Sequence, residues 1–476
     1  MKKLLLTLIC LCIVLAGAYG GASYWFGMQA EKQYDLLLQQ ISKPNHVLAE
    51  NKSYERGIFS SRAITSITIK GTGSDFRFGI VNSIQHGPIT YVTDPHLKGG
   101  FQPAMAVIRA GIAPGQDSGQ EIKQLLEKFP ELGASTSITI LSLDGSGESF
   151  LEVPAFRKKL PDSEGKETEV NWGGLTSKTG FDIGLGEITG ILAAPNLEIA
   201  QDGVRFQLRN LKGDFNSHPG IKGVSVGSFA ISSEQVDAEE RGSDPFSLEA
   251  PGLQVETGVS GETITSNLRV SFKRLSAAGE TLGPFSLEFE ARKLDPELII
   301  RLQRVAAGLQ AGIGSGTDDE AYQAAVNQLK ELLIHMLAKS PEFELKGLNI
   351  KTSMGDLAGK AKLTFAGSSN LFANLFTLAN AVSANADVTV SEKLFYHLAE
   401  RSLGTALDTP GRQDGEQIDQ LAGEGARNLA GWLLAQNFMI RENGSFRSSA
   451  TFKSGKLTVN GKKVQVSDLL NGMAGE

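Results

Sequence analysis

Twenty-three consecutive residues without a charge, Leu4 to Phe26, follow Met1-Lys2-Lys3 and constrain this chain more than any other feature. As a helix rising 1.5 Å per residue they measure about 34 Å, enough to cross a hydrocarbon core of about 30 Å. The sequence therefore predicts a transmembrane signal anchor with a short cytoplasmic tip over residues 1–28. A cleaved signal peptide is the competing reading, because Leu4 to Leu15 forms an apolar core and Ala16-Gly17-Ala18 offers small residues to a peptidase. The run continues past that point through Tyr19, Tyr24, Trp25 and Phe26, which favours a retained anchor with an aromatic belt at its outer interface. Lys2 and Lys3 should stay cytoplasmic, placing the rest of the chain on the far side of the membrane, which in a Gram-negative cell is the periplasm. Cys10 and Cys12 are the only cysteines, and Ile9 and Leu11 stand before them where lipidation needs a small residue. The chain beyond Met28 thus has no thiol for disulfides, nucleophilic catalysis or metal binding. Gly17 and Gly21, four apart, form a small-residue stripe through which two such helices could pack as a homodimer.

After the anchor, Tyr34, Leu37, Leu38 and Ile41 keep a helical period, and a membrane-proximal helix is expected over residues 29–50. The period then changes. Ala63 to Ile69, Phe76 to Ile84, Ser137 to Leu143, Ser149 to Val153, Val204 to Leu208, Val224 to Ile231, Asn267 to Phe272 and Phe285 to Phe289 are short near-alternating runs. Turn pairs such as Asp144-Gly145 and Asp202-Gly203 separate them. Glycine at 54 of 476 residues, about 11% against a usual 7%, fits a chain of strands and turns. Residues 51–294 therefore read as β-rich, with one short helix near Ser118 to Phe129. Residues 295–476 read as mixed. Asp295-Pro296 opens a helix to about Leu309, Gly312 to Gly316 reads as a linker, and Thr317 with Glu320 caps a second helix that Pro341 stops. Strands follow at Phe343 to Lys351 and Lys360 to Phe365, then helices at Ser391 to Leu403 and Glu416 to Leu434. A hairpin of Ser445 to Phe452 with Lys456 to Val459 closes the chain. The fold class is α+β: an N-terminal transmembrane helix, then a large, mostly antiparallel, curved sheet with several packing helices.

No catalytic pattern survives its context. Gly223-Val224-Ser225-Val226-Gly227 matches a nucleophile elbow, but strand alternation continues beyond it where a helix should begin. His46, His86, His96, His218, His335 and His397 never fall into a metal-binding spacing, and Asp318-Asp319-Glu320 reads as a helix N-terminus. The formal charge is 46 − 53 = −7, without basic blocks, which argues against nucleic acid as a partner. No catalytic residue, metal ligand or cofactor is expected.

Four segments stand out: Tyr54-Glu55-Arg56-Gly57-Ile58-Phe59-Ser60-Ser61, His86-Gly87-Pro88, Asn171-Trp172-Gly173-Gly174-Leu175, and Leu457-Thr458-Val459-Asn460-Gly461-Lys462. With the N-terminal run they resemble the YdgA family of bacterial proteins, a domain of unknown function, over nearly the whole chain. Ile58 stands where relatives often carry tryptophan. The resemblance implies an inner-membrane anchor and an envelope-facing body, and it brings no catalytic residue or ligand. Physically, Arg56-Gly57 supplies a turn with Tyr54, Ile58 and Phe59 as apolar clamps, and Arg56 alone could instead hold a phosphate or carboxylate. His86-Gly87-Pro88 reads as a turn at a strand end.

The expectation from sequence is thus a non-enzymatic, anchored periplasmic protein in contact with inner-membrane lipid, its sheet holding a lipid or other apolar ligand. The alternative is a scaffold for envelope assembly or motility that contacts an envelope protein. A serine hydrolase using Ser225 is the remote third.

Overall fold

The computed structural model describes residues 2–42, 47–70, 75–93, 97, 99–113, 118–161, 165–182, 184, 186–313, 319–366, 375–407 and 415–464. The side chains of residues 2–13, 304, 306–313, 319–322, 324, 325, 333, 375, 376, 378, 407 and 415–417 lie outside that description. The chain forms two compact units, Met1–Pro219 with Ser225–Ile231 and Gln303–Gln328, and Gly220–Val224 with Ser232–Leu302 and Leu329–Glu476.

In the first unit a single helix, α1 (Lys2–Ile41), runs 40 residues without a break at Met28. It precedes β1 (Val47–Arg56), β2 (Ser60–Ile69), β3 (Phe76–His86), β4 (Ile89–Val92), β5 (Gly100–Pro103) and β6 (Ala106–Ala113). After α2 (Gln120–Lys128) come β7 (Thr136–Leu141), β8 (Gly147–Val153), β9 (Phe156–Pro161), β10 (Glu167–Trp172), β11 (Leu175–Phe181), β12 (Ile188–Gln201), β13 (Val204–Pro219) and β14 (Ser225–Ser232). The order β1-β2-β3-β6-β7-β8-β11-β12-β13 is antiparallel throughout. β12 is long enough for β11 and then β10 to pair along one edge, with β9 outside β10, while β4 and β5 form a separate hairpin. Asp202 and Gly203 both have positive φ, as the tight turn between β12 and β13 requires.

The core of this unit lies between α1 and the strands. Ala30, Tyr34 and Leu38 of the helix bury against Ala49, Ala63, Ile84, Ala106, Ile108 and Leu141. The alanines on the strands let the helix come close, and the Ile and Leu side chains fill between them. Sequence periodicity finds Tyr34 and Leu38 on this stripe. It misses that the helix ends at Ile41 and that β1 begins at Val47, so Tyr54 and Arg56 stand on a strand and not ahead of the first one. Among the described residues no helix is long and apolar enough to cross a membrane. Leu4 to Ile13, the most apolar part of the expected span, has its side chains outside the described set.

The second unit holds β15 (Gln235–Glu240), β16 (Phe246–Glu249), β17 (Gly252–Ser260), β18 (Thr263–Phe272), β19 (Arg274–Ala277) and β20 (Glu280–Leu294). Next come α3 (Pro296–Ile313) and α4 (Asp319–Ala338), whose stretch Gln303–Gln328 belongs to the first unit, then β21 (Glu342–Thr352), β22 (Gly355–Phe365), α5 (Leu375–Ala381) and β23 (Val382–Ser391). The chain finishes with α6 (Glu392–Leu407), α7 (Gly415–Ala435), β24 (Ile440–Glu442), β25 (Ser445–Lys453), β26 (Lys456–Val459) and β27 (Lys462–Val464). Asp295 caps α3 as its sequence predicts, its Oδ1 accepting from the Glu297 and Leu298 amides at 2.9 and 3.3 Å. Thr317, Asp318 and most of the expected glycine linker fall outside the described residues. The strands pair antiparallel in the order β17-β18-β20-β21-β22-β23-β25-β26-β27. α6 and α7 pack at one end, where Leu394, Ala430 and Met439 bury with Val390 and Phe446.

The buried clusters differ in depth from the half-buried strand face of the second unit. Ile84→Ala, at a fully buried site, should cost about 2–5 kcal/mol, and Leu287→Ala, on a half-buried face, clearly less. Urea denaturation of the paired variants followed by tryptophan fluorescence checks the order.

Candidate functional site

Two of the segments singled out in the sequence, Tyr54 to Ser61 and His86 to Pro88, converge on the junction of α1 with the first sheet. His86, 1% exposed, closes β3. Its Nδ1 lies 3.0 Å from the Ile58 carbonyl, which only accepts, so Nδ1 carries the proton. Nε2 is then left to accept from the Ser61 hydroxyl at 2.7 Å. Burial pushes the His86 pKa down, with nearby Arg56 adding to the effect against the opposing Ile58 hydrogen bond, so the ring is held neutral. Its ring lies against Gly27 of α1, where a Cβ would stand 2.5 Å from the imidazole. Gly87 makes the second close approach: a Cβ there would meet the Ala104 carbonyl at 1.9 Å. The Gly87 carbonyl accepts from Ser23 Oγ at 2.5 Å, and its amide donates to Met105 at 2.7 Å.

Arg56 is a clasp on the same junction. Its Nη1 is 2.5 Å from Glu31 Oε2, its Nη2 donates to the Tyr24 hydroxyl at 3.3 Å, and the guanidinium lies 5.2 Å from the Tyr24 ring centre. Deeper in, Tyr34, Thr65 and Asn82 join their side chains, Asn82 Nδ2 donating to the Tyr34 hydroxyl at 2.7 Å. Burial raises the Tyr34 pKa, so the phenol stays protonated. Tyr54 packs its ring 6.0 Å from Tyr34, and Phe59 stacks on Tyr19 at 6.1 Å. The interface belt expected from sequence is accordingly divided: Tyr19 and Phe26 turn to the sheet, while Trp25 is exposed. Gly17 and Gly21 have open space where a Cβ would stand, and the small residues that do pack are Ser23 and Gly27.

The softer segments serve turns. Gly173 donates to the Asn196 carbonyl at 2.7 Å, and Gly174 has φ +88 between β10 and β11. Asn460, with positive φ, accepts from the Ser449 amide at 2.8 Å and donates to Asn437 at 3.0 Å. Ser225 opens β14, which continues as strand to Ser232, so the elbow lacks its helix. His218, His335 and His397 sit on β13, α4 and α6, while His46 and His96 lie outside the described residues.

A second arrangement, which sequence reasoning did not assemble, crosses the second unit. Register aligns Val255, Leu268, Phe289, Leu345, Ala361, Ala386, Ala450 and Val459 into one rung across eight strands. Beside it Phe272, Phe285, Ile350, Leu357, Val390 and Phe446 form another. Paired residues of antiparallel strands share a face, so this face is apolar from edge to edge. Most of these side chains are half-buried, Val390, Phe446 and Val459 being the buried exceptions. At a strand spacing of 4.7–4.9 Å, eight strands span about 33 Å. The opposite face is charged: Arg292 lies 2.9 Å from Glu290, 2.6 Å from Glu344 and 3.3 Å from Glu342, and Lys346 is 3.3 Å from Glu290. The hydrogen bond from Lys293 holds the Glu342 carboxyl below the usual carboxylate range.

Where the second rung reaches α6, a cavity of about 150 Å³ opens among Leu282, Ile350, Leu357, Leu394 and Leu398. Glu280, His397 and Arg401 stand at its lining, Arg401 Nη1 being 3.1 Å from Glu280. The volume is below the roughly 300–1,000 Å³ of small-molecule pockets, which suits the end of a single chain better than a whole cofactor.

Two outcomes test the junction. Gly27→Val should loosen α1 through overpacking worth about 1–3 kcal/mol, seen as faster amide hydrogen exchange over residues 19–41. Because the folded His86 pKa lies below its ordinary value, the unfolded chain takes up the proton first. The His86 contribution is therefore complete above about pH 6.5 and is lost as pH falls through that value. Exchange protection of α1 should weaken on acidification from pH 7 to about pH 5 in the native chain, and less so in His86→Gln.

Against known proteins, the model of a family described as bacterial protein of unknown function (DUF945) matches residues 1–467. No curated protein matches the chain.

Proposed function

For a chain that belongs to the DUF945 family of bacterial proteins, and within it resembles the YdgA group through Tyr54 to Ser61 and His86 to Pro88, we propose a non-enzymatic lipid-holding role at the inner membrane. In this reading α1 anchors the chain with its body in the periplasm, and the apolar face of the second unit holds an acyl chain. The observation that carries it is the unbroken apolar rung from Val255 to Val459, half-buried along most of its length. A sheet face on a packed layer would be fully buried, and a water-facing one would alternate to polar residues. At about 33 Å the rung exceeds the roughly 15 Å depth of one bilayer leaflet, so an acyl chain fits along it. Arg401 beside the cavity supplies a cationic contact for an anionic headgroup in competition with Glu280.

The first experiment releases the intact protein from native membranes in mild detergent and identifies what remains bound by mass spectrometry. A stoichiometric lipid is expected, and uptake of a fluorescent fatty acid should fall at least about tenfold in Leu345→Asp, a loss of about 1.4 kcal/mol. Arg401→Glu should weaken uptake of the fatty acid more than that of an uncharged analogue. A protein free of lipid that takes up no fatty acid refutes the reading. Recovery with a specific second polypeptide favours the scaffold, in which the open face at Gly17 and Gly21 would be available to a partner helix.

A further inference from the structure

The hairpin of β4 and β5 carries apolar side chains on its outer face as well as beneath it. Ile89, Tyr91, Phe101 and Pro103 point outward, Tyr91 opposite Phe101 and Ile89 opposite Pro103, while Thr90 and Val92 are buried beneath them. Phe101 is 80% exposed and lies 4.8 Å from the Tyr91 ring. The turn between β1 and β2 adds Ile58 and Phe59, each more than half exposed. Aromatic side chains exposed on a hairpin and on a second turn mark this surface for an apolar partner.

The position of α1 identifies that partner. The Tyr19 hydroxyl donates to the Ile89 carbonyl at 3.1 Å, and Phe59 packs on Tyr19 and Gly20. Both turns are therefore level with Tyr19. From Leu4 to Tyr19 the helix rises 15 × 1.5, about 22 Å, roughly 8 Å less than a hydrocarbon core, whose far boundary falls near Tyr24. Charge resumes on α1 only at Glu31, and that carboxylate is paired with Arg56. Arg109, donating to the Tyr91 carbonyl at 3.4 Å, stands where its guanidinium can reach a phosphate.

We propose that Ile58, Phe59, Ile89, Tyr91 and Phe101 form a collar around α1 that inserts into the outer leaflet of the bilayer holding that helix. The first unit is then seated in the membrane and not suspended above it. This rests on the anchored reading of α1 given above.

The test uses the full chain with Cys10→Ser and Cys12→Ser, so that a nitroxide can be placed at Phe101→Cys, or at Tyr91→Cys if the first variant does not fold. Val204→Cys, at an exposed site at the start of β13, is the reference. In vesicles of phosphatidylethanolamine and phosphatidylglycerol, the collar label should show a several-fold higher ratio of oxygen to nickel-chelate collisions than the reference. A chain that floats with vesicles while its collar label matches the reference overturns the collar and leaves the anchor standing. A label shielded from both reagents places protein over the hairpin and overturns the lipid partner. A chain that does not float overturns the anchored reading itself.

Discussion

Backbone hydrogen bonding between antiparallel neighbours holds the second unit together, because most side chains on its apolar rungs are only half-buried. A fully buried Leu or Phe contributes about 1.5–3 kcal/mol, whereas a cross-strand pair on a sheet contributes about 0.2–1. Stability here is the sum of many small terms along the rungs, with a dense cluster only where α6 and α7 close over Val390 and Phe446. A surface built in this way can open locally without unfolding the whole, since no single contact dominates it. That property suits a face that exchanges one apolar occupant for another. On the charged side, Arg292 shared among three glutamates ties β20 to β21 at partly exposed positions, where ion pairs fix register more than they add energy.

The first unit solves a different problem, that of fixing a long helix on a sheet. Shape does most of the work: Gly27 admits the His86 ring, Gly87 admits the Ala104 carbonyl, and Ala49, Ala63 and Ala106 lower the strand surface toward α1. Polar contacts then set the register of helix on strands, because Ser23, Tyr34, Glu31 and Tyr24 each meet partner groups at defined positions. Two of the four segments that carry the family resemblance, Tyr54 to Ser61 and His86 to Pro88, meet at this joint, which explains why a turn, a histidine and an aromatic cluster distant in sequence belong to one pattern.

Much of this was legible beforehand. Ala63 to Ile69, Phe76 to Ile84 and Phe285 to Phe289 lie on strands as their alternation predicts, and Pro130 and Pro341 stop helices where they should. What stayed hidden has physical reasons. β1 carries Glu50, Asn51, Lys52, Ser53 and Glu55 at exposed or half-buried positions, so no apolar alternation marked it. β9 and β10 are similarly polar and half-buried. The apolar rung is assembled from residues up to 204 positions apart, Val255 to Val459, and register across eight strands does not follow from any one strand. Gly27 reads as one more small residue in an apolar run until the His86 ring is placed against it.

The unbroken course of α1 gives the molecule a heading. Forty residues of helix form a rod of about 60 Å, clamped along its second half to β1, β3 and β6. A flexible tether would let the first unit wander through a volume set by its length, but a clamped rod transmits azimuth as well as distance. One residue added before Tyr19 would turn the sheet by about 100° relative to the first turns of the helix, and four would nearly restore it. Whatever surroundings receive residues 2–18, the strands of the first unit inherit their compass bearing from them, and the phase of the helix is as much a part of the architecture as its length.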